Sequence, residues 1–212
     1  MTSKSRFIVF EGLDGAGTST QLHLLQRALE NKSIGVEATK EPSTGPLGAL
    51  IRQAIEGRLI LDQISLSLAF AADRADHLFN VHNGIMKSLN ADRWVISDRY
   101  VLSNLAYQAA DGVDVDLLLK INSFAKTPDL TIFVDTDPVI CMDRIQNRST
   151  HFELYHHLPK LELVKNNYVK FLSNKDLTGS LLIVSGLSTR EEIHHQIWKY
   201  VRELFLNDAS LV

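Results

Sequence analysis

The feature that most limits how this chain can fold is a set of glycines placed between two different hydrophobic patterns. Phe7-Ile8-Val9-Phe10 is a short continuous apolar run of the kind that makes a buried strand. A helical pattern starts near Thr18. Between the two lies Glu11-Gly12-Leu13-Asp14-Gly15-Ala16-Gly17. Gly12, Gly15 and Gly17 open backbone conformations closed to residues with a Cβ, so successive N–H groups can turn inward and form an anion nest. The start of the following helix adds the positive end of its dipole. The spacing fits a phosphate-binding loop (Gly, four residues, Gly, Lys, Ser/Thr) at every position except Thr18, which stands where the lysine belongs. Ser19 is placed to offer its hydroxyl to Mg²⁺. A glycine-rich turn without a ligand would use the same residues, so the reading needs support from the rest of the chain.

Length and composition fit one enzyme-sized unit. With 212 residues, 45% hydrophobic and 22% charged, the chain can bury a full core and is read as a single domain over 1–212. A net charge of −3 gives no reason to expect a duplex-binding surface, so no nucleic-acid partner is expected. The lone Cys141 excludes an internal disulfide or a cysteine metal cluster and fits a reducing compartment. No apolar run approaches the roughly 18 residues of a membrane span, and strand-like sequence begins by Arg6 without a hydrophobic leader. The expectation is a cytoplasmic protein that does not enter membranes.

Short β-rich runs alternate with longer helical patterns. Strands are expected near Arg6–Phe10, Gly35–Thr39, Trp94–Ser97, Leu130–Val134 and Leu181–Val184, most of them apolar on both faces as buried parallel strands are. Helices are expected near Ser19–Asn31, Pro46–Glu56, Ile64–Asn90 with a break, Val115–Phe124, Pro138–Arg148, Pro159–Leu172 and Arg190–Leu204. The fold class is α/β: a five-stranded parallel sheet with helices on both faces. In such sheets ligands bind beyond the carboxyl ends of the strands. Four strand ends carry chemically useful residues: Glu11 to Asp14, Lys40-Glu41-Pro42, Asp98-Arg99-Tyr100, and Asp135 to Asp137.

Five segments in order resemble the thymidylate kinase family. They are Phe-Glu-Gly-Leu-Asp-Gly-Ala-Gly at 10–17, Lys-Glu-Pro at 40–42, Phe-Ala-Ala-Asp-Arg-Ala at 70–75, Asp-Arg-Tyr-Val-Leu-Ser-Asn-Leu-Ala-Tyr-Gln at 98–108, and Pro-Asp-Leu at 128–130. The resemblance runs from about Phe7 to the C-terminus and implies a P-loop nucleoside monophosphate kinase fold. It implies ATP as co-substrate, Mg²⁺ as cofactor, dTMP as substrate and dTDP as product. ATP would sit on Gly12, Gly15, Ala16, Gly17, Thr18, Ser19 and Thr20, with Arg144 near it, and Ser19 and Asp98 would hold the metal.

On the substrate side, Phe70 resembles the thymine-stacking aromatic. Arg74, one helical turn on, shares its face and can reach the base's exocyclic oxygen. Asn104 can bond the pyrimidine edge, Tyr107 resembles the tyrosine that packs where a 2′-hydroxyl would be, and Asp14 the residue that holds the 3′-hydroxyl. Arg99 and Arg52 look like the clamp on the monophosphate, since guanidinium forks match phosphate oxygens. An ordinary exposed helix residue is the other reading of Arg52. Asp98 resembles the catalytic carboxylate beside the attacking phosphate, while Glu11 and Glu41 read as supports and Tyr168 as a packing aromatic. The resemblance, with the apolar stretch around Ile64–Phe79, implies a homodimer.

The lid, about residues 148–157, departs from the family pattern. Relatives often show Asp-Arg-Phe-Glu there; here His151 takes the arginine's place before Phe152-Glu153. With Thr18 this makes two altered cationic positions, which leaves Arg148, read as catalytic, and Arg144 to supply charge. A single arginine finger is worth roughly 10³ to 10⁵ in rate. The expectation is a slow dTMP kinase. The alternatives are a catalytically impaired nucleotide-binding relative of the same fold and a kinase for another deoxynucleotide.

Overall fold

The computed structural model describes residues 5–147 and 157–206. Five strands, β1 (Phe7–Gly12), β2 (Val36–Lys40), β3 (Trp94–Asp98), β4 (Leu130–Asp135) and β5 (Ser180–Ser185), pair in parallel in the order β2-β3-β1-β4-β5. The strands run one or two residues past the apolar runs that mark them in the sequence. The ladder explains this, because Lys40 and Phe10 are both in register with Asp98, and Gly12 with Val134. Polar residues at the carboxyl edge are thus held by strand pairing.

Alternation along β1 divides the core. Ile8 and Phe10 pack into one buried cluster, Phe7 and Val9 into the cluster on the opposite face. The first face is covered by α1 (Thr18–Asn31), α7 (Pro138–Gln146), α8 (Leu158–Leu172) and α10 (Arg190–Val201). The second is covered by α3 (Gln63–Phe79), α4 (Ile85–Asn90) and α6 (Val115–Ile121). α5 (Val101–Ala110) contributes to both clusters, through Leu102 and Ala106 to one and Val101 and Leu105 to the other. α2 (Pro46–Ile55) pairs with α3 around a small cluster of Ile51, Ala54 and Leu66, and α9 (Lys175–Thr178) is a single turn before β5.

α5 and α9 are absent from the sequence expectations. α5 is buried at eight of its ten positions, and its polar residues Ser103, Asn104 and Gln108 are buried with the rest, so no charged, solvent-facing stripe marks it as a helix. Helix ends follow local chemistry: Asp62, Asp114, Asp137 and Thr189 cap α3, α6, α7 and α10 through their side chains, and Thr189 with Glu192 forms a capping box. The last helix does not continue evenly to Leu204. It widens into a π-turn over Arg202–Leu206, where Phe205 packs edge-on against Trp94 at 5.6 Å and lies under the Arg6 guanidinium at 4.7 Å. No helix among the described residues is long and apolar enough to cross a membrane.

The chain passes from β1 to the edge strand β2, back to β3, and then across β1 to β4. Strand order therefore reverses beside β1, which places the glycine loop at the crevice where open α/β sheets bind ligands.

Candidate active site

β1 delivers Glu11 and Gly12 to the carboxyl edge of the sheet, and the chain turns into α1 through Gly15 (φ 81°) and Gly17 (φ 100°). A Cβ on Gly15 would lie 2.6 Å from the Cys141 carbonyl oxygen, so close approach and left-handed backbone both require glycine there. Gly17 is the N-cap of α1 and supplies no side-chain hydrogen bond, and the first turn holds no acidic residue. The orphan N–H groups of that turn thus keep their affinity for an anion.

Guanidinium groups hold the carbonyl side of this loop. Arg99 Nη1 donates to Gly12 O at 3.0 Å, and Arg144 Nη1 to Gly15 O at 3.3 Å and Ala16 O at 3.5 Å. Arg144 Nη2 also donates to Gly186 O at 3.1 Å. Because C=O and N–H of a trans peptide point in opposite directions, gripping the carbonyls from one side leaves the N–H groups for the other. Thr18 is 6% exposed, and its methyl lies where it would meet a Cβ on Gly12. The residue in the lysine position is therefore packed beneath the loop, and Thr20 follows it half-buried in the first turn.

Ser19 Oγ donates to Asp98 Oδ2, which joins the first turn of α1 to the end of β3. Asp98 Oδ1 is buried and has no hydrogen-bond partner among the described residues. A hydroxyl beside a carboxylate with one unsatisfied oxygen is a hard-oxygen donor set that suits Mg²⁺ with its waters.

Beside the loop lies a cleft of about 220 Å³. Asp14, Arg52, Phe70, Arg74, Arg99, Asn104 and Tyr107 all line it, so the side chains singled out for the substrate converge although they come from separate stretches of sequence. Asp14 is held by Arg99 Nη2 at 2.6 Å and by the Tyr107 hydroxyl at 3.0 Å. Burial pushes the Tyr107 phenol well up, so it remains a donor. Arg99 adopts φ 72°, uncommon for a residue with a side chain. Its N–H donates to Phe10 O and its carbonyl accepts from Ser97 Oγ, both at 2.8 Å. Arg52 Nη1 donates to the carbonyls of Pro42 and Ser43 at 3.1 and 2.5 Å, fixing the loop that follows the cis Glu41-Pro42 bond.

Arg74 is more deeply committed than its sequence position suggests. It is 1% exposed. Its Nε and Nη2 donate to Glu41 Oε2 at 2.9 and 2.7 Å, Nη2 also to Tyr100 O at 3.2 Å, and Nη1 to Asn104 Oδ1 at 3.3 Å and to Asn122 Oδ1. A guanidinium has five N–H groups, and all are engaged by the protein. This fixes amide polarity further along. Asn104 Oδ1 receives Arg74 and Asn122, so Asn104 Nδ2 must donate, and it does, to Gln108 Oε1 at 2.8 Å.

Glu11, read from the sequence as a support, and Tyr168, read as a packing aromatic, both join the site, and Ser103 and Gln108 join it without having been singled out. Glu11 is fully buried and accepts from the Tyr100 and Ser103 N–H groups and from the Ser103 and Tyr168 hydroxyls. Desolvation raises its pKa, with the Ser103 hydrogen bond and Arg99 opposing. Tyr168 does pack against Phe133 and Tyr107, but its hydroxyl also bonds Glu11, Ser103 and Gly12 O, so packing alone understates it. Ser103 and Gln108 also line the cleft. Ser103 directly precedes Asn104 and Gln108 lies one turn after it in α5, and recognising that helix would have found them. Arg148, His151 and the lid up to residue 156 lie outside the described residues; His157 is the exposed N-cap of α8.

The family described as Thymidylate kinase matches residues 10–197. A Pyrococcus horikoshii protein named "Probable thymidylate kinase" is 38% identical over 205 residues, covering 94% of this chain and 97% of its own. One of the same name from Thermococcus onnurineus is 42% identical over 203 residues, covering 90% and 94%. A third, from Methanococcus aeolicus, is 34% identical over 198 residues, covering 92% and 95%. The match takes in nearly all of the described fold, and the chain belongs to the thymidylate kinase family.

Proposed function

We propose that this chain transfers the γ-phosphate of ATP to dTMP, giving dTDP and ADP, with the ATP phosphates in the glycine loop and dTMP in the adjoining cleft. The observation that carries the residue assignments is the convergence of Asp14, Arg52, Phe70, Arg74, Arg99, Asn104 and Tyr107 on one cleft beside that loop. Phe70 stacks on the base, Tyr107 packs against the sugar, Asp14 receives its 3′-hydroxyl, and Arg52 and Arg99 clamp the monophosphate.

A dTMP phosphate oxygen attacks the γ-phosphorus in line while the bond to the β–γ bridging oxygen breaks, and ADP leaves with that electron pair. The second ionisation of a phosphate monoester lies near pH 6, so the nucleophile needs no base. The protein's part is positioning and charge. Arg99 and Arg144, held on the loop's own carbonyls, brace it with its N–H groups turned toward the phosphates and add positive potential from behind the loop, while Thr18 supplies no cation. Ser19 and Asp98 would hold Mg²⁺, whose charge would offset the negative charge on the transferring phosphoryl group.

Thr18 favours a second reading, a nucleotide-binding relative with little catalysis. A coupled ATP assay on each deoxynucleoside monophosphate separates the two, with turnover highest on dTMP under our reading and none on any under the second. In calorimetry, Phe70→Ala is expected to weaken dTMP binding by about 1–3 kcal/mol; unchanged affinity would remove the stacking assignment.

The assembly we infer is a cytoplasmic homodimer joined through α2 and α3. Leu47, Leu50, Ile64 and Leu68 on these neighbouring helices are 37%, 39%, 53% and 48% exposed, an apolar face that a partner copy would cover.

A further inference from the structure

Asp73 is a carboxylate with 1% exposure that does not line the cleft. It lies in α3 between two residues that do, Phe70 one turn before it and Arg74 next to it. Its two oxygens grip a single serine: Oδ2 accepts the Ser43 N–H at 2.7 Å, and Oδ1 accepts the Ser43 hydroxyl at 2.6 Å. A buried carboxylate depends on such hydrogen bonds, and two of them to one residue fix its direction as well as its distance.

Ser43 is bound in turn to α2. Its hydroxyl oxygen accepts from the N–H of Gly45, the N-cap of that helix, at 3.0 Å. A Cβ on Gly48 would overlap the Ser43 carbonyl, so the helix rests directly on this residue. From the last turn of α2, Arg52 Nη1 reaches back to the Pro42 and Ser43 carbonyls. Residues 42–52 are thus tied into one body. At its far end Ile51 and Ala54 meet Leu66 of α3, an apolar contact without directional preference. At the near end the directional tie to α3 is Asp73. Arg52 Nε and Nη2 have no partner among the described residues, which leaves that edge of the guanidinium for a phosphate.

We propose that Asp73 is a positioning residue for the phosphate clamp: through Ser43 it fixes the body that carries Arg52, and with it the direction from which Arg52 meets the monophosphate. The inference rests on dTMP binding in the cleft with Arg52 on its phosphate. It divides substrate recognition in two, since the base on Phe70 does not need Asp73 and the phosphate does. When the grip is lost, α2 keeps its apolar seat on α3, but Arg52 gains alternative directions.

The test measures by calorimetry the affinity for dTMP and for thymidine, which has the same base and sugar and no phosphate. In Asp73→Ala, which can make neither bond, dTMP should bind about tenfold more weakly, the size of one hydrogen bond to a charged group, with thymidine changed less than about twofold. Asp73→Asn should stay within about threefold of the parent, because its Oδ1 still accepts the Ser43 N–H while Nδ2 donates to the hydroxyl oxygen. Ser43→Ala removes one of the two bonds and should give the same phosphate-specific loss at about threefold, which carries the test if Asp73→Ala does not fold. Arg52→Ala should weaken dTMP and leave thymidine alone, and adding Asp73→Ala to it should weaken dTMP no further. Equal losses of dTMP and thymidine in Asp73→Ala and Ser43→Ala would mean a merely structural carboxylate and refute the proposal. Unchanged dTMP affinity in both, or a loss that adds to that of Arg52→Ala, would refute it too, with the clamp assignment still standing. If Arg52→Ala binds dTMP as the parent does, the clamp assignment itself falls and takes the positioning role with it.

Discussion

Glu11 sits at the end of the central strand with no exposed surface, yet it is an ionisable carboxyl among hydroxyl and N–H donors. Its pKa is raised above the ordinary 4.5, chiefly by desolvation. A raised acid pKa means the folded state binds more protons than the unfolded one in the interval between the two values, so stability falls as pH rises through it. Below 4.5 both states are protonated and the burial carries no such charge penalty. Glu11→Gln keeps the shape, with Oε1 toward the two backbone N–H groups and the amide toward the hydroxyls. Its stability relative to the parent is therefore expected to improve as pH increases from 4.5 toward neutrality, read by urea unfolding across that range. A difference that does not vary with pH would show that the carboxyl is not the titrating group. Thr18 is the other residue whose chemistry is decided by place. Restoring a cation there by Thr18→Lys is expected to raise turnover, by up to about 10²-fold if the missing charge limits the rate. Arg148→Ala should nearly abolish it. A parent with no dTDP formation that gains it only on Thr18→Lys would make the natural protein a binder.

Among the elements, the strand–loop–helix unit from β1 to α1 carries the strictest local demands. Gly15 has a left-handed backbone and no room for a Cβ against the Cys141 carbonyl. Gly15→Ala is expected to destabilise the fold by at least about 1–2 kcal/mol, the cost of a left-handed L-residue, and to weaken ATP binding as the loop shifts off α7. Equilibrium unfolding with nucleotide titration checks both, and a variant as stable as the parent with the same ATP affinity would show that the loop tolerates the change. At this scale the sequence was informative wherever an element had an exposed side. Strands were placed to within two residues by their apolar runs, and α1, α2 and α8 by their amphipathic faces and first-turn residues. It was silent on α5, whose polar residues are themselves buried, so that no charged outer face marks the helix. That silence hid Ser103 and Gln108, and it left Asn104 and Tyr107 known by resemblance without the helix that aligns them.

For the molecule as a whole, the open question is the apolar face of α2 and α3. Sedimentation at micromolar concentration is expected to give a mass of two chains, and Leu68→Asp should shift it to one while the melting temperature stays near that of a folded protein. A single-chain mass for the parent would leave Ile64 and Leu68 as isolated surface residues. What the sequence by itself determined is local: which runs form strands, where glycine must stand, and which helix ends are capped, since each depends on neighbours a few residues away. It also carried enough segments in order to mark the family. Only the tertiary structure decided the states of the buried groups. Arg74 takes its acceptors from Glu41, Tyr100, Asn104 and Asn122, up to 48 residues away, and Glu11 meets Tyr168 from 157 residues away. The strength of such contacts depends on the water that folding removes around them, and no stretch of sequence read alone contains that information.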